Sequence, residues 1–407
     1  QNDYVRGDKT GDIAESYDFF RYGVKADIND TFSVGILYDE PFGAAAEYTQ
    51  SNFVSQGDVD ASIASITNGA APSLAAAQAG IGALAAGETA GVLTPAQQAQ
   101  LDGLRGAVAV AQAEASTAGE NTNVEVRSQS LTGILGMKFG ANKNFQIYGG
   151  PVAQRTQSET KLRGLAYGPA SGYTSNSNPD MDYGYIAGIA YSKPEIALKA
   201  ALTYRSEIDH DIQISESYPL VAIRATAAGA TPEQAAAAAN RNSKYEITTP
   251  KSVNFDFQTG INPTTLATAK VRWVPWSDFI ITPPLYNDTS KISYGPDGLN
   301  LVEYKDDQWM VELGLAKRVA PALAISGTVG WDSGAGDPTT SLGPVEGYYS
   351  VGLGAKYNVT ENWAVSAGGK YLWFGDAKGQ LPSDKIVGDF QDNDGYIAGV
   401  KLSYQGK

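Results

Sequence analysis

Residues 197 to 212, ALKAALTYRSEIDHDI, constrain the fold more than any other stretch, because their hydrophobicity repeats every second residue. Leu198, Ala200, Leu202, Tyr204 and Ile208 share one face; Lys199, Thr203, Arg205, Glu207 and Asp209 share the other. This is the period of a strand. The same alternation recurs along the chain. Phe20, Tyr22, Val24, Ala26 and Ile28 turn at Asn29-Asp30 into Phe32, Val34, Ile36 and Tyr38, which reads as a hairpin. Leu131, Leu135, Met137 and Phe139 turn at 142–144 into Phe145 and Ile147, and Tyr183 to Tyr191 turn at Ser192-Lys193-Pro194 into the stretch above. Further hairpins turn at Asn262-Pro263, at Val319-Ala320-Pro321 and at the NVTEN stretch 358–362, and a strand from Tyr396 to Tyr404 closes the series.

What remains is to find a home for both faces. The chain of 407 residues carries no cysteine, which excludes disulfides and thiolate metal sites, and its net charge of -14 argues against nucleic acid as a partner. No apolar run reads as a transmembrane helix of roughly 20 residues. The connections, however, alternate between tight turns and long loops at 49–123, 158–181, 213–249, 277–304, 333–346 and 375–394, and the apolar faces carry aromatics towards their ends. That combination is the signature of a barrel in the bacterial outer membrane. The expected fold class is therefore all-β, a transmembrane antiparallel β-barrel forming a single domain over 1–407. Lipid then takes the place of a conventional core, and lipid and lipopolysaccharide become partners of a monomer. Helices are expected in two extracellular loops. The Ala-rich insertion 49–123 has Thr94-Pro95-Ala96-Gln97, and 213–249 has Thr231-Pro232-Glu233-Gln234, each an N-cap followed by proline at the first helical position.

Four short stretches carry a resemblance: Ala201-Leu202-Thr203-Tyr204-Arg205-Ser206-Glu207, Val253-Asn254-Phe255, Trp276-Ser277-Asp278-Phe279 and Gly330-Trp331-Asp332-Ser333. In this order and spacing the chain resembles the FadL/TodX family of outer-membrane transporters for long-chain fatty acids and aromatic hydrocarbons. The resemblance implies a barrel of about fourteen strands, an N-terminal hatch, and a ligand that leaves sideways through the wall. It implies no cofactor and no enzyme. Only about thirteen strands are readable here, and nothing before Tyr17 could serve as a hatch. A strand expected at 17–28 and the last at 394–404 would both descend, so even-numbered closure asks for a hatch and first strand before residue 1.

The inward parity shows what the lumen offers a ligand. Phe19, Leu37, Ile186, Met310, Leu372 and Ile397 are the expected apolar lining, interleaved with glycines such as Gly188, Gly314, Gly352 and Gly368 that either make room or let the strands coil. Arg21, Lys25, Lys199, Arg205, Lys270, Arg272, Lys356, Lys370 and Lys401 share that parity and are expected to pair with Glu207, Asp209, Glu312 or water. Two cations are candidates for holding a head group, Arg155 and Arg205. Gly149-Gly150-Pro151 is expected to bulge and switch parity, pointing Arg155 inward, where the resemblance implies a carboxylate-binding arginine.

The candidate lateral opening is Asp39-Glu40-Pro41-Phe42-Gly43, where carboxylates, a proline without an N–H and a glycine interrupt a lipid-facing repeat. No catalytic or metal site is read from the sequence. His210 lies between Asp209 and Asp211, but strand neighbours point to opposite faces, so neither would orient its ring. Asp389, Asp392 and Asp394 could meet calcium, yet their spacing fits a solvated acidic loop better. The expected function is passive uptake of hydrophobic small molecules, fatty acids or aromatic hydrocarbons. The alternatives are an outer-membrane lipid or peptide hydrolase and a hydrophilic general porin.

Overall fold

The computed structural model describes residues 7–15, 19–343 and 345–406. Its strands are β1 (Tyr22–Asp27), β2 (Phe32–Asp39), β3 (Gly43–Tyr48), β4 (Thr122–Phe139), β5 (Phe145–Lys161), β6 (Thr174–Ser177), β7 (Asp180–Lys193), β8 (Leu198–Arg205), β9 (Ile208–Ser217), β10 (Asn240–Thr249), β11 (Ser252–Asn262) and β12 (Thr265–Val274). Next come the two-residue β13 (Ile280–Ile281) and β14 (Val302–Glu303), then β15 (Gln308–Ala320), β16 (Leu323–Asp332), β17 (Thr339–Thr340), β18 (Tyr348–Asn358), β19 (Trp363–Phe374), β20 (Ala377–Gln380), β21 (Ile386–Phe390) and β22 (Asp394–Tyr404). Tyr17 and Asp18 of the expected first strand lie outside the described residues.

Seventeen of these strands form one antiparallel sheet. Four consecutive pairs, β2 with β3, β6 with β7, β8 with β9 and β10 with β11, are the two halves of single passes, so the described residues make 13 passes of the wall. Around the wall the order is β1, β2, β4, β5, β7, β8, β11, β12, β15, β16, β18, β19 and β22. Among the described residues β1 pairs only with β2, and β22 only with β19.

The tight turns form because short side chains replace lost ladder bonds. Asn29 Oδ1 accepts from the amides of Thr31 and Phe32, both at 2.8 Å, and Thr360 Oγ1 accepts from Asn362 and Trp363. Near these turns Phe139, Phe145 and Tyr191 lie side by side, with ring centroids 5.7 and 5.0 Å apart, and Trp363 meets Tyr404 at 4.9 Å. At the opposite rim Trp273 sits 6.4 Å from Trp309, and Tyr349 stands opposite both Trp331 and Trp373. Between the two aromatic rings the outward residues are aliphatic and bare: Leu353 is 75% exposed and Val400 80%. A water-facing sheet has no reason to present such a belt.

Above the upper ring the logic inverts. On β8, Leu198 and Leu202 face outward, whereas on β9 the same even parity, Ile208, His210, Ile212 and Ile214, is buried inside. The switch falls at Ser206-Glu207, and its counterpart at Pro250-Lys251 divides β10 from β11. Once the strands leave lipid they face water outside, and their apolar face must turn inward.

The inward faces pack against the loops. The 49–123 segment holds α1 (Val59–Ile66), α2 (Leu74–Ala90) and α3 (Pro95–Ala115), and Thr94 caps α3 with a reciprocal Gln97 bond. Strands β9 and β10 run well into the segment read as the loop 213–249, leaving room for two short helices, α4 (Pro219–Ala227) and α5 (Pro232–Ala239). With α6 (Pro284–Tyr294) and the small strands, these pieces bury Tyr48, Phe53, Tyr167, Tyr173, Leu220 and Tyr286 in one cluster. The expectation that lipid replaces a core is thus corrected for this part: the barrel carries a true hydrophobic core as a cap at its long-loop end.

Glu346, in the loop before β18, accepts the Gly336 amide at 3.1 and 3.0 Å. Burial, opposed by that amide and helped by Asp337, Asp306 and Asp332, pushes its carboxyl up to about 7. An acid whose folded pKa is raised stabilises the loop fully below its unfolded value and loses that contribution as pH rises through about 7. Amide protection across 333–347, taken relative to the intrinsic exchange rate at each pH, is expected to fall from pH 5 to pH 8, and Glu346→Gln to remove that fall. Equal pH dependence in both proteins would refute it.

Candidate functional site

The wall changes register at residues 40 to 42. Asp39 stands opposite Ser130 of β4, and Gly43 stands opposite Arg127, so three residues of the inner pass face two of its neighbour. One residue is extra. The chain bends inward to absorb it, and parity switches with it: Ile36 and Tyr38 face out, while Ala46 and Tyr48 are buried within. Pro41 has no N–H to offer the ladder. The buried Ser128 hydroxyl stands in for the missing strand bonds, receiving the Phe42 amide at 2.7 Å and lying 2.6 Å from the Phe42 carbonyl. On the other side β1 has ended, and Glu40 receives the Phe20 amide at 3.1 Å and the Tyr38 hydroxyl at 2.9 Å.

The bend carries Phe42 to aromatic residues that follow β12. Its ring lies edge-on to Trp276 at 5.9 Å, and Trp276 in turn contacts Phe279 at 5.3 Å and Tyr304 at 5.5 Å. Of these rings, Phe279 and Tyr304 pack against the buried cluster of the cap. Beside them is a polar shelf. Trp276 donates to Gln308 at 2.7 Å, and Gln308 donates to both Asp332 oxygens at 2.9 and 2.8 Å. Arg205 reaches Ser130 at 2.8 Å and Asp39 at 3.4 Å with its side chain only 15% exposed. Arg272 occupies the same inward row, two strands along from Arg205 across Ser252 and Asn254.

Two buried polar atoms here lack a partner among the described residues, Arg272 Nε, a donor, and Asp39 Oδ1, an acceptor. An apolar cage beside unmet hydrogen-bonding capacity is the composition of a site for an amphipathic or hydrophobic ligand. A second cleft, of about 350 Å³, lies lower, lined by Gly23, Lys25, Ser33, Leu37, Gln146 and Tyr148 among others. There Tyr148 lies flat over Gly188, whose absent Cβ would otherwise sit 2.3 Å from the ring.

A family model described as outer membrane protein transport protein (OMPP1/FadL/TodX) matches residues 8–405. The chain belongs to that family. It is an outer-membrane β-barrel transport protein. Among solved structures, a FadL homologue from Pseudomonas aeruginosa superposes with a TM-score of 0.61 at 14% identity, covering 94% of this chain and 77% of the other. A deltaS2S3 mutant of the monoaromatic hydrocarbon channel TodX gives 0.50 at 10% identity, covering 96% and 83%. The P. putida toluene transporter TodX gives 0.49 at 10% identity, covering 94% and 81%. No curated protein matches the sequence. At such identities the likeness is one of fold.

Within this FadL/TodX barrel the sequence-derived residues fall unevenly. Leu37, Ile186 and Met310 lie half-buried on the inward face, Met310 directly opposite Arg272, and Leu372 is buried. Ile397 is 44% exposed on the edge strand β22, and Phe19 lies outside any strand, 58% exposed. The expected bulge at Pro151 does not form. The ladder of β5 with β7 is continuous from Phe145 to Thr156, and its register with β4 is the same on both sides of a lapse at Gly150-Pro151, where Gly150 lets the strand press onto the Gly133 carbonyl and a Cβ would sit 1.8 Å away. Arg155 therefore stays on the outer face with Pro151, exposed, and Gln154 takes the inward place.

Of the inward cations, Arg205 pairs with Asp39 and Lys370 with Glu312, whereas Asp209 faces outward and binds Thr248. In the acidic loop Asp389 pairs with Lys378, and Asp394 receives the Tyr371 hydroxyl. Sequence reading missed Arg272 as a special cation, Ser128 as the clamp and the Trp276–Phe279–Tyr304 cage. The one signal available was the quoted Trp276-Ser277-Asp278-Phe279, used for resemblance rather than chemistry.

Proposed function

We propose that this protein admits hydrophobic small molecules passively, holding them between the Phe42–Trp276–Phe279–Tyr304 cage and the Arg205–Arg272 shelf before release through the wall at residues 40–42. The inward bend at Phe42 carries the reading: one three-residue segment both interrupts the ladder and builds the ligand cage. The family relation and the named TodX hydrocarbon channels support the ligand class. Arg205 and Arg272 suit a carboxylate or other polar head group; Arg155, exposed on the outer face, has no part in it.

Two alternatives are disfavoured by particular contacts. A hydrolase would need an activated nucleophile, but both ring nitrogens of His210 are taken, by Asp180 and Gln154. A general porin needs an open wet mouth, and the aromatic cap covers this one.

The detergent-solubilised protein, incubated with long-chain fatty acids, monoaromatics and a disaccharide, is expected to retain the hydrophobes and not the sugar when bound ligand is measured by mass spectrometry. Retention of the sugar alone would refute the reading. Arg272→Met is expected to weaken fatty acids roughly 10- to 100-fold, the worth of a charged hydrogen bond, while leaving neutral hydrocarbons within about threefold. Arg155→Ala should change neither.

A further inference from the structure

The main-chain ladder between the β6–β7 pass and the β8–β9 pass lapses midway. Below, Ile186 pairs with Arg205; above, Ser177 pairs with Ile214 and the Asn178 amide reaches Gln213 at 2.9 Å. Between them no backbone pair of β7 with β9 forms among the described residues, although β7 keeps its ladder with β5 on the other side. Side chains occupy the lapse. Asp180 and Asp182 project from β7, and His210, the sole histidine of the chain, projects from β9, wholly buried.

His210 Nδ1 lies 2.9 Å from Asp180 Oδ2 and 4.0 Å from Asp182 Oδ2, and one ligand atom from each of the three falls within 4.8 Å of the others. The far nitrogen is fixed by a neighbour. Nε2 lies 2.9 Å from Gln154 Oε1, an acceptor that also takes the Thr249 hydroxyl at 3.0 Å. Gln154 is itself fully buried, with its amide nitrogen directed to Ser130 at 3.3 Å. Nε2 donates to that oxygen, so displacement of any Nδ1 proton by a cation would leave the ring held in place with its Nδ1 lone pair facing two carboxylates. Two carboxylates converge on one ring nitrogen, and apart from that ring the Asp211 amide, 3.4 Å from Asp182 Oδ2, is a weak donor to them. A backed imidazole whose other nitrogen is fixed by an outer acceptor is the usual arrangement of a metal-binding histidine.

We infer that Asp180, Asp182 and His210 form a divalent transition-metal site, best suited to Zn²⁺, that clasps β7 to β9 where their ladder is missing. One imidazole and two carboxylates make a three-ligand set that leaves a position for water, and Asp182, a third exposed, borders the solvent from which the ion arrives. The sequence hid this site because His210 is flanked by Asp209 and Asp211, which face away, while its partners come from a strand thirty residues earlier.

The test uses the full chain purified without a polyhistidine tag and stripped with a chelator. Titration calorimetry with Zn²⁺ at pH 7.5 is expected to show one ion per chain at micromolar or tighter affinity, and Co²⁺ to give a visible absorption band that Zn²⁺ bleaches. His210→Gln and Asp182→Asn should each weaken Zn²⁺ at least tenfold, and Ca²⁺ should bind at least tenfold more weakly than Zn²⁺. Heat-modifiable gel migration reports whether each variant is folded, and Asp182→Asn, being partly exposed, supplies the answer should His210→Gln fail to fold. A wild-type chain that takes up no Zn²⁺, or folded variants that bind it as well as wild type, would overturn the assignment.

Discussion

Deletion of Pro41 is expected to stop uptake while leaving the barrel folded. Three residues, Glu40, Pro41 and Phe42, now face Gln129 and Ser128 between the pairs Asp39 with Ser130 and Gly43 with Arg127. Removing one makes the count two against two. The same deletion repairs the parity, because the inward Ala46 and Tyr48 would shift onto the odd phase that already faces inward in β2. A continuous ladder leaves no unpaired backbone for a ligand to pass, and in hydrocarbon a closed wall is the state of lowest free energy. Whole-cell accumulation of a labelled hydrophobe should fall roughly tenfold or more, which corresponds to a barrier higher by about 1.4 kcal/mol.

Phe42→Ala is the companion variant. It keeps all three residues, so the wall stays interrupted, but it removes the ring that meets Trp276. Binding should weaken and the route remain open. Undiminished uptake in the Pro41 deletion, with the folded barrel verified by its heat-modifiable migration, would mean that ligand leaves by another path.

Strand identity was legible because lipid enforces it. Every outward residue between the aromatic rings must be apolar, so Leu353, Val351 and Tyr349 alternate with Ser350, Gly352 and Gly354 without exception, and the pattern survives reading one sequence. The interruption at Asp39-Glu40-Pro41 was legible for the same reason, since two carboxylates and a proline cannot continue a lipid-facing ladder.

Arg155 failed as a reading because glycine before proline permits a bulge without requiring one. Here the room left by Gly150 is filled by the Gly133 carbonyl, and the strand stays straight. Above the membrane the alternation persists with its meaning reversed, so Ile212 and Ile214 look like lipid-facing residues and instead belong to a covered interior. Nothing in the period distinguishes the two, and only the break at Ser206-Glu207 marks the change. The cage and the His210 cluster were out of reach because both join residues from strands distant in sequence.

The lipid-facing belt also has the most severe test. Leu353 lies midway along β18 between Tyr349 and Tyr357, pairs with Gly327 and Gly369, and is 75% exposed. If its surroundings are hydrocarbon, Leu353→Arg places a guanidinium near the bilayer midplane at a cost of about 2–4 kcal/mol. That is a large share of a typical folding free energy. In a water-facing sheet the same substitution at an exposed position would fall within about 0.5 kcal/mol of neutral. The control lies on the opposite face, where Ser366 stands between Lys356 and Lys401. Ser366→Glu sets opposite charges across both neighbours and should stabilise by roughly 0.2–1 kcal/mol. Urea-dependent folding into lipid vesicles, followed by tryptophan fluorescence, measures both. A neutral Leu353→Arg would contradict the membrane placement of this face, whereas a severe Leu353→Arg beside a benign Ser366→Glu places lipid outside and the polar lumen within, because only that arrangement penalises charge by face rather than by position along the strand.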